Sequence, residues 1–115
     1  MFDYSSELLR ITVTDQYVRV EHPERKPVEV NWDDIEEIWL LNTDQGPFLD
    51  DIWLQLKTKD HSCYIPQGRE GYNEVYDRVT QYPGFNFDNV IQSMQTTTRA
   101  EFLLWTKPQA TKPTS

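Results

Sequence analysis

An acidic turn followed by three apolar segments, between residues 32 and 65, constrains the fold of this chain more than any other feature. Residues 37–43 and 51–58 form two of these segments, and a loop containing Gly46 and Pro47 joins them. Apolar runs of this length, bounded by turn residues, are typical of neighbouring strands. Because the runs do not alternate cleanly, we expect both faces to be covered, either by a helix or by a partner. A shorter strand is predicted at residues 62–65.

Strict alternation predicts three earlier strands. Leu9, Ile11 and Val13 alternate with polar residues, and the pattern resumes after a tight turn at residues 15–16, so residues 8–21 should form a hairpin. A third strand is predicted at residues 28–32. Asp33 and Glu36 have the spacing of a capping box, which indicates a single helical turn at that point.

Helical periodicity appears only in the later part of the chain. Residues 72–82 carry apolar side chains at i, i+3, i+4, i+7 and i+10, and a second such stripe follows at Phe87, Val90, Ile91 and Met94, with Asn86 as its cap. Pro83-Gly84 between the helices suits a type II turn. Residues 102–105 predict a last strand, with Trp105 buried.

This order of elements predicts an α+β fold. We expect an antiparallel sheet or a partly open barrel, with the C-terminal helices packed on one face or end. Residues 1–107 should form a single domain, since a chain of 115 residues is of one-domain size. Residues 108–115 contain two prolines and no large apolar side chain, which predicts a disordered tail.

Four short runs carry a resemblance to known proteins: Trp32-Asp33-Asp34-Ile35, residues 43–48 (Thr-Asp-Gln-Gly-Pro-Phe), Ile65-Pro66-Gln67 and Pro83-Gly84-Phe85. With them the chain resembles a small uncharacterised bacterial protein family, and its layout is similar to a pleckstrin-homology-like (PH-like) barrel. That resemblance implies a long meander after residue 35 and a late helix that plugs the barrel. The early strands lack the basic cluster of phosphoinositide-binding barrels, so the resemblance does not imply lipid headgroup binding.

The charge balance narrows the choice of partners. Eleven basic residues against 19 acidic ones give a net charge of −8, which repels phosphate backbones and anionic membranes. We therefore expect no nucleic-acid and no membrane partner, and favour a basic protein. The N-terminal residues lack the pattern of a signal peptide and no segment is long enough to span a bilayer, so a cytoplasmic location is predicted.

Catalytic motifs are not recognisable in the sequence. Cys63 is the one cysteine and lies in a short apolar run, where a small core residue is the simplest interpretation. His22 and His61 lie in predicted loops, and neither a nucleophile elbow nor a glycine-rich phosphate loop is present. The acids lack the spacing of a calcium-binding loop. We expect no catalytic metal and no cofactor, and the chain is not predicted to be an enzyme.

The candidate site is the concentration of acids and aromatics from residue 33 to residue 53. Its residues are Asp33, Asp34, Glu36, Glu37, Trp39, Asp44, Phe48, Asp50, Asp51 and Trp53. The acids could form a solvated rim or a docking face for a basic partner, and the aromatics could fill the core or anchor a partner. The same tryptophans could also be buried in a homodimer, by edge pairing of the sheet.

These patterns favour a small non-catalytic protein-binding domain of an inhibitor, immunity-type or regulatory kind, which uses the acidic and aromatic face. The alternative is a small-ligand carrier or an enzyme with a pocket between sheet and helices.

Overall fold

The computed structural model describes residues 9–23, 25–42, 52–68, 70–95 and 99–108. Its elements in chain order are β1 (Arg10–Val13), β2 (Tyr17–His22), β3 (Arg25–Asn31), a 3₁₀ turn (Trp32–Asp34), β4 (Glu37–Asn42), β5 (Ile52–Lys57), β6 (Ser62–Pro66), α1 (Tyr72–Val79), α2 (Phe87–Met94) and β7 (Ala100–Thr106). The predicted α+β class is confirmed. The strands form two antiparallel sheets, and in the described ranges these do not close into a barrel.

The first sheet has the order β1-β2-β3 and contains the predicted hairpin. Val13 pairs with Val18 across its turn. Inside the turn the Thr14 hydroxyl accepts hydrogen bonds from the backbone N–H groups of Gln16, at 3.1 Å, and Tyr17, at 3.0 Å. A threonine that satisfies the backbone of its own turn in this way fixes the register of both strands.

The second sheet has the order β6-β5-β4-β7, so the last strand of the chain lies beside β4. Leu41 pairs with Trp53 on β5 and with Glu101 on β7. A bulge between Ile38 and Trp39 shifts the β4–β7 register. β4 is therefore an interior strand, which explains why it is apolar along its whole length.

The 3₁₀ turn joins the two sheets and buries Trp32, whose indole N–H donates to the Thr14 carbonyl oxygen at 2.8 Å. The predicted capping box is wrong. The N-cap is Asn31 rather than Asp33, and its side chain makes no capping hydrogen bond. The turn ends at Asp34, so Glu36 lies beyond it and cannot complete a capping box. Burial of Trp32 stabilises this turn instead.

One hydrophobic core is shared by both sheets and α1. Val18 and Val30 of the first sheet, Ile38 and Leu54 of the second and Val75 of α1 belong to it, each at most 1% exposed. Trp105 is also buried, as predicted: its indole N–H donates to the Pro83 carbonyl oxygen at 2.8 Å, and its ring meets Tyr82 edge-on.

Both helices lie where they were predicted, but α1 ends at Val79 rather than at residue 82. The Pro83-Gly84 turn has the predicted form, with Gly84 at φ +88° and a hydrogen bond from the Phe85 N–H to the Tyr82 carbonyl oxygen. Asn86 caps α2 by accepting from the Asn89 N–H at 3.0 Å.

The apolar stripe of α2 is not buried as its periodicity suggests. Phe87 and Ile91 are each 53% exposed and Met94 is 77% exposed, while Val90 packs against the core. The helix is held to β7 by polar contacts, among them a 2.7 Å hydrogen bond from the Asn89 amide to the Leu103 carbonyl oxygen. These contacts fix which side of the helix meets the sheet, and most of the stripe faces away from it.

Candidate functional site

The side of the second sheet that faces away from the core carries apolar side chains at its centre. On β4 the side chains of Glu37, Trp39 and Leu41 point outward and are half-buried, whereas Ile38, Leu40 and Asn42 point inward and are buried. Leu103 of β7 lies opposite Trp39, and Glu101 lies opposite Leu41. We call Glu37, Trp39, Leu41, Glu101 and Leu103 the β4 face.

Trp39 is held in place on this face by its neighbours. Its indole N–H donates to Glu37 Oε1 at 2.9 Å, and the same carboxylate lies 3.8 Å from the Lys57 ammonium. Because Glu37 and Lys57 are both partly exposed, this ion pair contributes little stability. The hydrogen bond still restricts the indole to one orientation.

The acidic turn lies at the end of β4 next to Glu37. Asp33 and Asp34 are exposed, and Asn31 donates to Asp34 at 3.3 Å. Glu36 is half-buried. Its backbone N–H donates to the Lys57 carbonyl oxygen, and its carbonyl oxygen accepts from the Lys107 N–H. With Glu37, four carboxylates occupy five consecutive positions from residue 33 to residue 37.

Two lysines reduce the charge of this turn. Lys57 is next to Glu37, and the Lys107 ammonium donates to the Asp33 carbonyl oxygen at 3.3 Å. Four acids against two lysines give the turn and its surroundings a net charge of −2. The exposed part of this charge is carried by Asp33 and Asp34.

The structure brings together only part of the candidate site predicted from sequence. Asp33, Asp34, Glu36, Glu37 and Trp39 are close to one another. Trp53 is on the neighbouring strand, as predicted, but it is 6% exposed and lies opposite Leu41, at the far end of β4 from the acidic turn. It is therefore not an exposed anchor. Asp44, Phe48, Asp50 and Asp51 lie outside the described residues, as do residues 109–115 of the predicted tail.

Sequence reasoning missed Leu41, Leu103 and Glu101 as part of this surface. Leu103 and Glu101 reach it only because β7 pairs with β4, a contact between segments some 60 residues apart that no local pattern indicates. Leu41 could have been found, since it follows Trp39 at the spacing of one strand face.

Groups that might support catalysis have structural roles. Burial raises the pKa of the Cys63 thiol to about 12, so it stays protonated at neutral pH and is a poor nucleophile. A ring nitrogen of His61 lies 2.9 Å from the Glu29 carbonyl oxygen and ties the β5–β6 turn to β3. Among the described residues, no group of three or more His, Cys, Asp or Glu side chains is placed to hold a metal ion.

A wide depression of about 660 Å³ lies between the β1–β2 turn and α1, the place where the alternative function would need a pocket. Its Arg78 is committed to the fold: one guanidinium nitrogen donates to the Asp15 carbonyl oxygen at 2.8 Å, and the group lies 4.8 Å from the Trp32 ring. Small-molecule sites are usually enclosed and mainly apolar. This depression is open and rich in charged groups, so it does not favour a carrier or an enzyme.

Comparison with protein-family models, with curated proteins and with solved structures finds no match to this chain. In the part of the chain that the structure describes, no helix is long and apolar enough to cross a membrane.

Proposed function

We propose that this protein is a non-catalytic protein-binding domain, of an inhibitor, immunity-type or regulatory kind, that engages a basic partner through the β4 face and the adjoining acidic turn. The observation that carries the proposal is the position of Trp39. It lies half-exposed at the centre of a sheet face, flanked by Leu41 and Leu103, where polar residues are expected on a face that only meets water.

The composition of this surface supports a protein partner. Apolar surface rimmed by polar groups marks interaction sites, and tryptophan is among the residues that most often dominate binding energy. The bond from the indole N–H to Glu37 holds Trp39 in one orientation before any partner arrives. Such preorganisation lowers the entropy lost on binding.

Charge supports a basic partner. Asp33 and Asp34 are exposed at one end of the β4 face, and Glu101 is exposed beside Leu41. Carboxylates around an apolar centre speed the encounter with a positively charged surface, whereas the apolar centre slows dissociation. A second copy of this chain would be repelled by the same carboxylates. Edge pairing into a homodimer would have to avoid β4 and β5, since both are interior strands.

The experiment is capture of the native partner from a lysate on immobilised protein, followed by affinity measurement with the partner so isolated. Trp39→Ala should weaken binding by on the order of 30-fold, the effect of losing a hot-spot residue. The charge reversal Asp33→Lys with Asp34→Lys should mainly slow association, and the difference from wild type should shrink between about 0.05 and 0.5 M NaCl.

A matched control is the double change Glu70→Lys with Asp88→Lys, which reverses two exposed acids outside this surface and gives the same net charge. This control variant should bind the partner with an affinity close to that of the wild type. Circular dichroism of each variant checks that the fold is intact. If the control weakens binding as much as the reversal at Asp33 and Asp34, only overall charge matters and the proposed surface is wrong.

A further inference from the structure

A row of side chains crosses the outward side of the second sheet, from its edge strand β7 to its edge strand β6. Leu103 of β7 pairs with Trp39 of β4, and Trp39 pairs with Gln55 of β5. Gln55 in turn pairs with Tyr64 of β6. Directly paired residues project on the same side of an antiparallel sheet, so these side chains are neighbours in the order of the strands. We call Leu103, Trp39, Gln55 and Tyr64 the aromatic row.

The two rings of the aromatic row are separated by a polar side chain. Tyr64 is 46% exposed, and Trp39 and Gln55 are half-buried. The Gln55 amide donates to the Ser62 hydroxyl at 3.0 Å and to the Tyr64 hydroxyl at 3.3 Å. Both acceptors belong to β6, so the amide is held towards that strand. The row therefore offers two separate ring surfaces with a fixed polar group between them.

The spacing of the two aromatic residues matches one turn of a polyproline II (PPII) helix. Adjacent strands lie about 4.8 Å apart, so Trp39 and Tyr64, which are two strands apart, should stand about 9.6 Å from each other. A PPII helix has three residues per turn and rises about 3.1 Å per residue, so every third residue lies on the same side, about 9.3 Å further along. An α-helix, whose neighbouring anchors are about 5–6 Å apart, would instead press an apolar side chain onto Gln55.

The row also supplies a hydrogen-bond donor that a PPII segment needs. Such a segment makes no internal hydrogen bonds, so its backbone carbonyl oxygens depend on donors from water or from a partner. The Tyr64 hydroxyl accepts from Gln55, and among the described residues its own proton has no acceptor. Tyr64 can therefore donate to a carbonyl oxygen of a segment that lies across the row.

The charges next to the row favour a basic ligand. Asp33, Asp34 and Glu101 are exposed, and in the described part of the chain none of them forms an ion pair. Glu101 is two residues from Leu103 on β7, and the two aspartates precede the strand that carries Trp39. The negative charge is thus concentrated at the Trp39 end of the row.

We propose that the aromatic row docks a PPII segment of the partner, with prolines three residues apart over Trp39 and Tyr64 and a basic residue at the Trp39 end. Such docking rests on the proposed function, since it specifies the kind of segment that the partner presents to the β4 face. Surfaces lined by aromatic side chains bind PPII segments well because the preformed helix loses little conformational entropy. Docking would extend the binding surface to Gln55 and Tyr64, which lie outside the β4 face.

Three synthetic peptides, blocked at both ends, test the ligand. Hexaproline followed by two arginines carries both the rings and the charge. Hexaalanine followed by two arginines lacks the rings, and hexaproline followed by two glutamates reverses the charge. In ¹H–¹⁵N NMR titrations the first peptide should bind with a Kd on the order of 0.1 mM, with shifts at the Trp39 indole and the Gln55 side-chain amide. The other two peptides should bind at least about tenfold more weakly.

Matched variants test the position of the site. Tyr64→Ala should weaken binding of the hexaproline–arginine peptide at least about tenfold, and Tyr64→Phe, which loses only the hydroxyl, should lie between Tyr64→Ala and the wild type. Phe87→Ala removes a ring that is 53% exposed on α2, outside the row, and should leave binding unchanged. Circular dichroism checks the fold of each variant, and the comparison of the three peptides on the wild type does not depend on any variant.

Four results would overturn PPII docking: shifts that do not saturate, equal affinity for the proline and alanine peptides, equal affinity for the arginine and glutamate peptides, or equal losses in Tyr64→Ala and Phe87→Ala. The native partner captured from a lysate separates this outcome from failure of the proposed function. If Trp39→Ala weakens binding of that partner and Tyr64→Ala does not, PPII docking is wrong and the proposed function stands. If neither variant weakens it, both are wrong.

Discussion

Truncation of Trp105 should remove a large part of the stability of this fold. The side chain is 8% exposed, its indole N–H donates to the Pro83 carbonyl oxygen at 2.8 Å, and its ring centroid lies 4.7 Å from that of Tyr82. Loss of a buried tryptophan side chain costs about 3–5 kcal/mol. We expect Trp105→Ala to fall in that range, against a total stability of about 5–15 kcal/mol for a domain of ordinary stability.

A second variant separates the ring from the hydrogen bond. Trp105→Phe keeps an aromatic ring near Tyr82 but removes the donor to the carbonyl oxygen of the exposed residue Pro83, which costs about 0.5–1.5 kcal/mol. It should therefore lie between the wild type and Trp105→Ala. As a control, Trp39→Ala removes a half-buried tryptophan on the sheet surface and should cost clearly less than Trp105→Ala.

Urea denaturation followed by far-ultraviolet circular dichroism measures all three variants. The midpoint should shift while the slope with urea stays constant, as expected when stability changes and compactness does not. A cost below about 1 kcal/mol for Trp105→Ala would refute the reasoning, because it would mean that β7 and the turn between the helices do not depend on this side chain.

Three further outcomes can be checked. Burial raises the pKa of the Cys63 thiol from its ordinary 9.0 to about 12 in the folded state. Because the folded state holds this proton more tightly than the unfolded state, the stability gained from the protonated thiol is complete below pH 9 and is lost as the pH rises towards 12. The free energy of unfolding should therefore fall over that interval, and fall less in Cys63→Ala; equal alkaline slopes would contradict this. Gly71→Ala should cost at least about 1 kcal/mol more than Gly84→Ala. Both glycines have positive φ, but an added Cβ at Gly71 would lie 2.9 Å from the Ile11 side chain of β1, whereas at Gly84 nothing lies within 4 Å. Equal losses of stability in thermal melts would show that the Ile11 side chain moves aside at little cost. Ile91→Ser should change stability by less than about 0.5 kcal/mol because the side chain is 53% exposed, while Leu104→Ala, at 0% exposure, should cost about 2–5 kcal/mol. A large loss at Ile91 in urea titrations would show that the α2 stripe is covered in solution.

Most of the candidate surface was identifiable from the sequence because its residues are consecutive. The acids at residues 33–37 and the outward side of β4 lie in one run, so the spacing of a single strand places Glu37 and Trp39 side by side. The sequence left the environment of Trp53 open between the core and an exposed anchor, and the structure buries it. Alternation puts Trp53 on the same side as Trp39, but residues of the β2–β3 hairpin lie beside it at that end of the sheet.

Most strands, both helices and the cap at Asn86 are predictable from the sequence, since period-2 and period-3.6 patterns and helix caps depend only on near neighbours. The division of the strands into two sheets, the insertion of β7 beside β4 and the exposure of most of the α2 stripe are visible only in the folded molecule. Periodicity defines which side of an element is apolar but not what covers that side. That choice depends on contacts between distant segments, such as the bond from Asn89 to β7 and the bond from Arg78 to Asp15 across 63 residues.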